Sequence, residues 1–145
     1  MLKQDLQVLL ATTFGMAVKA QRYHWNVVDP RFSQLHDFYE EIYDDLYEHV
    51  DIIAETIRTL DVYPIGSLAE FAELSQIAEE DEVITDGQTQ LAELSRANKV
   101  AMRIIKIAMT AADDENAKDV EDLLVNRLRA HKKHGWMIKA HMTAQ

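Results

Sequence analysis

The stretch FSQLHDFYEEIYDDLYEHVDIIAETIRTL, residues 32–60, decides the fold. Its apolar members Phe32, Leu35, Tyr39, Ile42, Leu46, Val50, Ile53, Ile57 and Leu60 recur every third or fourth position. That spacing predicts one long amphipathic helix with a single buried stripe. Asp29-Pro30 precedes it, a good N-cap residue followed by the residue favoured at the first helical position, so the helix is expected over residues 30–60.

On its N-terminal side, residues 2–27 place Leu2, Leu6, Leu9, Thr13, Ala17 and Ala20 on one helical face. On its C-terminal side, Tyr63-Pro64-Ile65-Gly66 breaks the pattern. Ser67-Leu68-Ala69-Glu70 then has the form of a capping box, opening a short helix to about Leu74. Glu79-Glu80-Asp81-Glu82 reads as a loop. A third long helix is expected from near Thr85, with Gln88 as capping partner, through Leu91, Leu94, Ala101, Ile105 and Ala108 to about Ala112. Asp113-Asp114-Glu115-Asn116 connects it to a last helix carrying Val120, Leu124, Leu128, His131, Ile138 and Met142. No strand pattern or internal repeat is present. The expected architecture is all-α: a single four-helix bundle over residues 1–145, with a short extra helix between the second and third long ones. The length of that connection predicts a crossover between two helical hairpins.

Composition narrows the chemistry. There is no cysteine, which excludes disulfides and thiolate metal sites. No run approaches the ~20 uncharged apolar residues of a membrane span. The opening MLKQDLQVLL lacks the basic region and cleavage site of a secretory signal, so a cytoplasmic location is expected. The formal charge is −10, and the first 122 residues carry −15. Such a chain attracts cations and repels nucleic acid.

Residues 32–60 carry a second stripe. With each residue advancing about 100° and Phe32 at zero, the apolar set spans about −80° to 0°, whereas His36, Glu40, Asp51 and Glu55 fall at about 40°, 80°, 100° and 140°. The ligand-type residues therefore face away from the core. The stripe could be merely a solvated face. No Glu-x-x-His occurs, which argues against a metal site inside the bundle. His36 and Asp51 are about 22 Å apart along the helix, too far for one ion in one chain. The stripe is nearly symmetric about Asp45-Leu46. Two copies packed antiparallel about a two-fold axis there bring His36 and Glu40 of one chain to Asp51 and Glu55 of the other, with Tyr43, Asp44 and Tyr47 between. His24, across the Asp29-Pro30 turn, reaches the same place. Two imidazoles and several carboxylates with open positions suit a redox-active Fe(II) centre better than a structural zinc, though zinc or manganese could use the same ligands. Trp25, beside His24, is placed to supply electrons or absorb a radical.

These residues resemble a known family. His24-Trp25-Asn26-Val27, Phe32, Leu35-His36, Glu40, Asp51 and Ala54-Glu55 closely resemble the Dps family of mini-ferritins. Pro64-Ile65-Gly66-Ser67, Glu70-Phe71, and Arg127, His131-Lys132 and Trp136-Met137 extend the match over nearly the whole chain. The resemblance implies a homo-oligomeric hollow dodecamer that oxidises Fe(II), preferably with hydrogen peroxide, and stores the ferric product as a mineral core. It implies that His24, His36 and Glu40 of one subunit, with Asp51 and Glu55 of its partner, form the ferroxidase site. Asp113 and Asp122 match positions of acidic pores at three-fold axes. Many DNA-binding relatives have a Lys-rich arm before the first helix. Here the helical pattern begins at Leu2, so DNA binding is expected to be weak or absent. The alternative expectation is a DNA-condensing structural protein with little oxidation.

Overall fold

The computed structural model describes residues 1–142. Four long helices and one short one follow in order: α1 (Leu2–Asn26), α2 (Phe32–Thr59), α3 (Leu68–Leu74), α4 (Gly87–Asp114) and α5 (Lys118–His141). α1 packs along α2 and α4, α5 packs along α4, and α3 lies on α1. The all-α four-helix bundle with its extra helix is the arrangement expected.

Contacts at the helix ends set the chain's course. Gln7 Nε2 near the start of α1 donates to the Tyr63 carbonyl just beyond α2, at 2.9 Å. The start of α4 lies instead at the opposite end of the bundle, where Val28 N–H donates to the Thr85 carbonyl at 2.8 Å. Residues 60–86 therefore run the length of the bundle, and α4 descends parallel to α2. This is the crossover predicted from loop length. The crossing strand is fastened to α1 by Lys19, which meets Glu80 at 2.6 Å while Tyr23 donates to the same carboxylate. It passes so close to α1 that a Cβ on Gly15 would lie 2.3 Å from Ser75 Oγ.

Two helix starts differ from expectation. α2 begins at Phe32, not Pro30, because Asp29 Oδ1 accepts from Arg31 N–H at 2.8 Å and holds residues 29–31 as a turn. α4 is capped by Asp86, whose carboxylate accepts from Thr89 N–H at 2.8 Å, one residue later than Thr85. The capping box at Ser67 and Glu70 forms as read. α4 ends where Asn116 adopts φ 56° and Ala117 N–H reaches back to the Ala112 carbonyl, an asparagine-tolerated left-handed stop.

The core divides into two apolar clusters. One surrounds Tyr23, Leu35, Tyr39, Ile42, Leu94 and Ile138 at the end holding the α1–α2 turn. The other surrounds Leu6, Leu9, Ile53, Ile57, Ile105 and Leu124 at the far end. Between their levels on α5 sit Arg127 and His131, both fully buried. Arg127 makes a two-pronged contact with Asp45 of α2, at 3.1 and 2.9 Å. His134 Nε2 meets the same carboxylate at 2.7 Å. A polar brace thus joins α2 to α5 at mid-height. Among the described residues no helix is long and apolar enough to cross a membrane.

Candidate metal centre

The α1–α2 hairpin creates the geometry. Val28 is held to Thr85 and Asp29 to Arg31, so residues 27–31 turn tightly and bring the last turn of α1 against the first of α2. There the rings of His24 and His36 stack, centroids 3.6 Å apart and planes 16° apart. His24 Nδ1 contacts the carbonyl of His36, and His36 Nδ1 the carbonyl of His24, each at 2.7 Å. A carbonyl only accepts, so both Nδ1 atoms carry hydrogen. That arrangement leaves Nε2 of each ring as the atom able to offer a lone pair to a cation. A hydrogen bond from Nδ1–H that fixes tautomer and orientation is the usual support of a metal-ligating histidine.

The surroundings reinforce the pair. Phe32, expected on the buried stripe, is 46% exposed and stacks on His36 at 5.1 Å. Tyr43 meets His24 edge-on at 5.3 Å and donates its hydroxyl to Glu40 at 3.3 Å. Burial and then the Glu40 charge raise the Tyr43 pKa, keeping it a phenol. Trp25 is 66% exposed beside the pair. Tyr47, one turn on, donates to the Gln21 side chain at 2.9 Å.

Asp51 and Glu55 are exposed further along α2. A hydrogen bond from Asp51, then its charge, raises the Glu55 pKa. Among the described residues of one chain, no three His, Asp or Glu side chains converge to hold an ion. The five candidates thus stand as two half-sets: His24 of α1 with His36 and Glu40 at the start of α2, and Asp51 and Glu55 further along the same outward face of α2.

The remaining candidates lie elsewhere. Asp113 and Asp122 are exposed around the α4–α5 turn, and Lys118 pairs with Asp113 at 3.1 Å and with Glu121 at 3.2 Å. Asp45, taken as the midpoint of the outward stripe, points inward to Arg127 and His134. Burial works against its charge, but hydrogen bonds from His134 and Arg127 win and hold its carboxyl far below the ordinary range. The brace was missed because at about −140° on the wheel Asp45 falls outside both stripes, and only the fold shows that Arg127 lies across from it.

Comparison with known proteins bears on the family and the helical architecture. The ferritin-like domain family matches residues 3–144. A DNA protection during starvation protein of Brevibacillus brevis is 32% identical over 152 residues, covering 97% of this chain and 99% of that protein. An uncharacterised low temperature-induced protein of Nostoc sp. is 32% identical over 146 residues, 100% of this chain and 79% of the relative. The crystal structure of a Dps protein from Vibrio cholerae O1, described as belonging to a broad superfamily of ferritin-like diiron-carboxylate proteins, superposes with a TM-score of 0.91. It is 28% identical, with 96% of this chain and 87% of that one covered. With the ferritin-like match spanning nearly its full length and Dps relatives of the same extent, the chain belongs to the Dps family of mini-ferritins.

Proposed function

We propose that this protein oxidises Fe(II), preferably with hydrogen peroxide, at sites shared across a two-fold contact, and stores the ferric product inside a hollow dodecameric shell in the cytoplasm. One observation carries the reading. Two stacked imidazoles, His24 from the end of α1 and His36 from the start of α2, stand at one end of the outward stripe of α2, and the carboxylates of Asp51 and Glu55 stand further along it, too far away to join them in one chain. An antiparallel copy unites them. His24, His36 and Glu40 then face Asp51 and Glu55 of the other subunit, and the mixed nitrogen and oxygen set suits Fe(II).

Iron is the substrate here. Two Fe(II) ions each give one electron to a single peroxide, the O–O bond breaks, and two protons complete two waters. No hydroxyl radical is released. Trp25 supplies an electron when only one iron is present. Asp113 and Asp122 would line an entry path between copies. The relatives' names speak of DNA protection. In this chain protection follows from consuming iron and peroxide, because a charge of −10 repels the polyanion.

The test is anaerobic Fe(II) loading followed by peroxide, read by ultraviolet absorbance. Wild type should develop ferric absorbance and His36→Ala and Glu55→Ala should not. Equal rates in all three would refute the site. Retention of plasmid by the protein at physiological salt in a gel shift would move the reading to a DNA-condensing protein.

A further inference from the structure

Of His24, His36 and Glu40, only Glu40 is exposed. The two imidazoles are held by each other's backbone carbonyls. An exposed glutamate left to itself samples many rotamers and loses that freedom when an ion fixes it. Glu40 has a tether. Tyr43 stands one turn further along α2, and its hydroxyl donates to Glu40 Oε1 at 3.3 Å. Among the described residues Glu40 has no other hydrogen bond or ion pair. One hydrogen on Oε1 leaves both lone pairs of Oε2 open to a cation. Hydrogen bonds around a reacting centre commonly tighten when the reactant enters, and 3.3 Å leaves room for that.

Tyr43 can serve as a fixed donor because α1 holds it. Its ring is half-buried and meets the His24 ring edge-on, with centroids 5.3 Å apart and planes at 83°. On its other side it meets the Tyr47 ring at 5.9 Å. Tyr47 is itself anchored to α1: its hydroxyl donates to Gln21 Oε1 at 2.9 Å, and Phe14 lies edge-on to its ring at 6.1 Å. The phenol that grips Glu40 is therefore placed by the helix that carries His24. Through Tyr43, a side chain on the open face of α2 is registered to an imidazole on α1. We propose that Tyr43 is a positioning residue for iron, whose hydroxyl orients the Glu40 carboxylate beside the His24–His36 pair before the ion arrives. The inference rests on the ferroxidase reading and adds to it the residue that organises its most mobile ligand.

Tyr43→Phe tests it, since that change keeps the ring against His24 and Tyr47 and removes only the hydroxyl. Co(II) titrated without oxidant, read by its visible d–d absorption, reports binding apart from turnover. The variant should raise the Co(II) dissociation constant about ten-fold, with the melting curve unchanged. In a Glu40→Ala background the same change should have no further effect, because the hydroxyl then has nothing to orient. With peroxide, Tyr43→Phe should raise the half-saturating Fe(II) concentration more than it lowers the limiting rate. If His36→Ala abolishes the Co(II) absorption while Tyr43→Phe binds within two-fold of wild type, the positioning role is overturned and the ferroxidase site stands. An equal loss with and without Glu40 also overturns it, because Tyr43 would then act by packing on His24. A visible iron–phenolate band in oxidised wild type that the variant lacks would make Tyr43 a ligand and overturn it in the same way. Wild type that binds no Co(II) overturns the positioning role together with the site it serves.

Discussion

His24 and His36 exchange hydrogen bonds, each Nδ1–H donating to the other's backbone carbonyl at 2.7 Å. The reciprocity ties side-chain orientation to the backbone of the hairpin, so each ring is held by the very segment that carries its neighbour. Losing one imidazole removes a ligand and also frees the other ring to rotate. His36→Ala should therefore lower the initial rate of peroxide-driven Fe(II) oxidation by at least about ten-fold. Thermal unfolding should change little, since His36 is only half-buried. Stopped-flow absorbance and a melting curve on the same sample check this. A rate within two-fold of wild type would remove His36 from the site.

Sharing between subunits makes a sharper forecast. His36→Ala and Glu55→Ala chains should each be inactive alone. In a mixed dimer, one site loses both groups and the other keeps both. Random mixing makes half the dimers mixed, so roughly a quarter of the sites are intact. Co-refolding equal amounts should recover about a quarter of the wild-type rate. Recovery of none, with mixed dimers verified by mass, would mean the two residues serve one chain.

The helices were legible in the sequence because their apolar spacing is long and regular, as along Leu35 to Ile57. The half-set of His36, Glu40, Asp51 and Glu55 was legible for the same reason, since one rigid element fixes their angles. Asp45, Arg127 and His134 were not, because residues 82 and 89 positions apart meet only through the crossover. Phe32 misled the pattern: hydrophobicity placed it in the core, whereas it covers an imidazole at the surface.

The brace between Asp45 and Arg127 is a stability device. Arg127 is 2% exposed, and removing its counter-charge strands a buried guanidinium. Asp45→Asn should destabilise the fold by about 3 kcal/mol. Adding Arg127→Met should recover much of that loss, because the uncompensated charge goes with it. Urea titrations of both single variants and the double variant measure the coupling. Additive losses would show that the pair does not act as a unit.

Gly87 opens α4 against the α1–α2 turn. A Cβ there would lie 2.4 Å from Asp29 Oδ2 and 2.9 Å from Leu35 Cδ1. Overpacking at this point would push Asp29 off Arg31 and loosen the turn that stacks the imidazoles. Gly87→Ala should cost about 1–3 kcal/mol and also slow Fe(II) oxidation. A crystal structure of the variant with the His24–His36 stack unmoved, together with a normal rate, would contradict the link between turn and site.

His131 supplies a pH signature. Burial, then the Arg127 charge, pushes its pKa down to about 3, and its Nδ1–H donates to Asn98 Oδ1 at 2.8 Å. In the unfolded chain a histidine titrates near about 6.5. Between those values the unfolded state binds the extra proton, so stability is full above about 6.5 and falls as pH drops towards 3. The slope approaches about 1.4 kcal/mol per pH unit. Asp45, also depressed, adds its own loss progressively below about 5, as the unfolded carboxylate begins to protonate. From pH 6.5 to about 5 His131 contributes the larger slope, and comparison with His131→Gln subtracts the groups the two proteins share. Urea midpoints of wild type should fall steadily across that range, and those of His131→Gln should fall by distinctly less even if that variant starts lower. Parallel slopes would mean that His131 takes up a proton in the folded protein as readily as in the unfolded one.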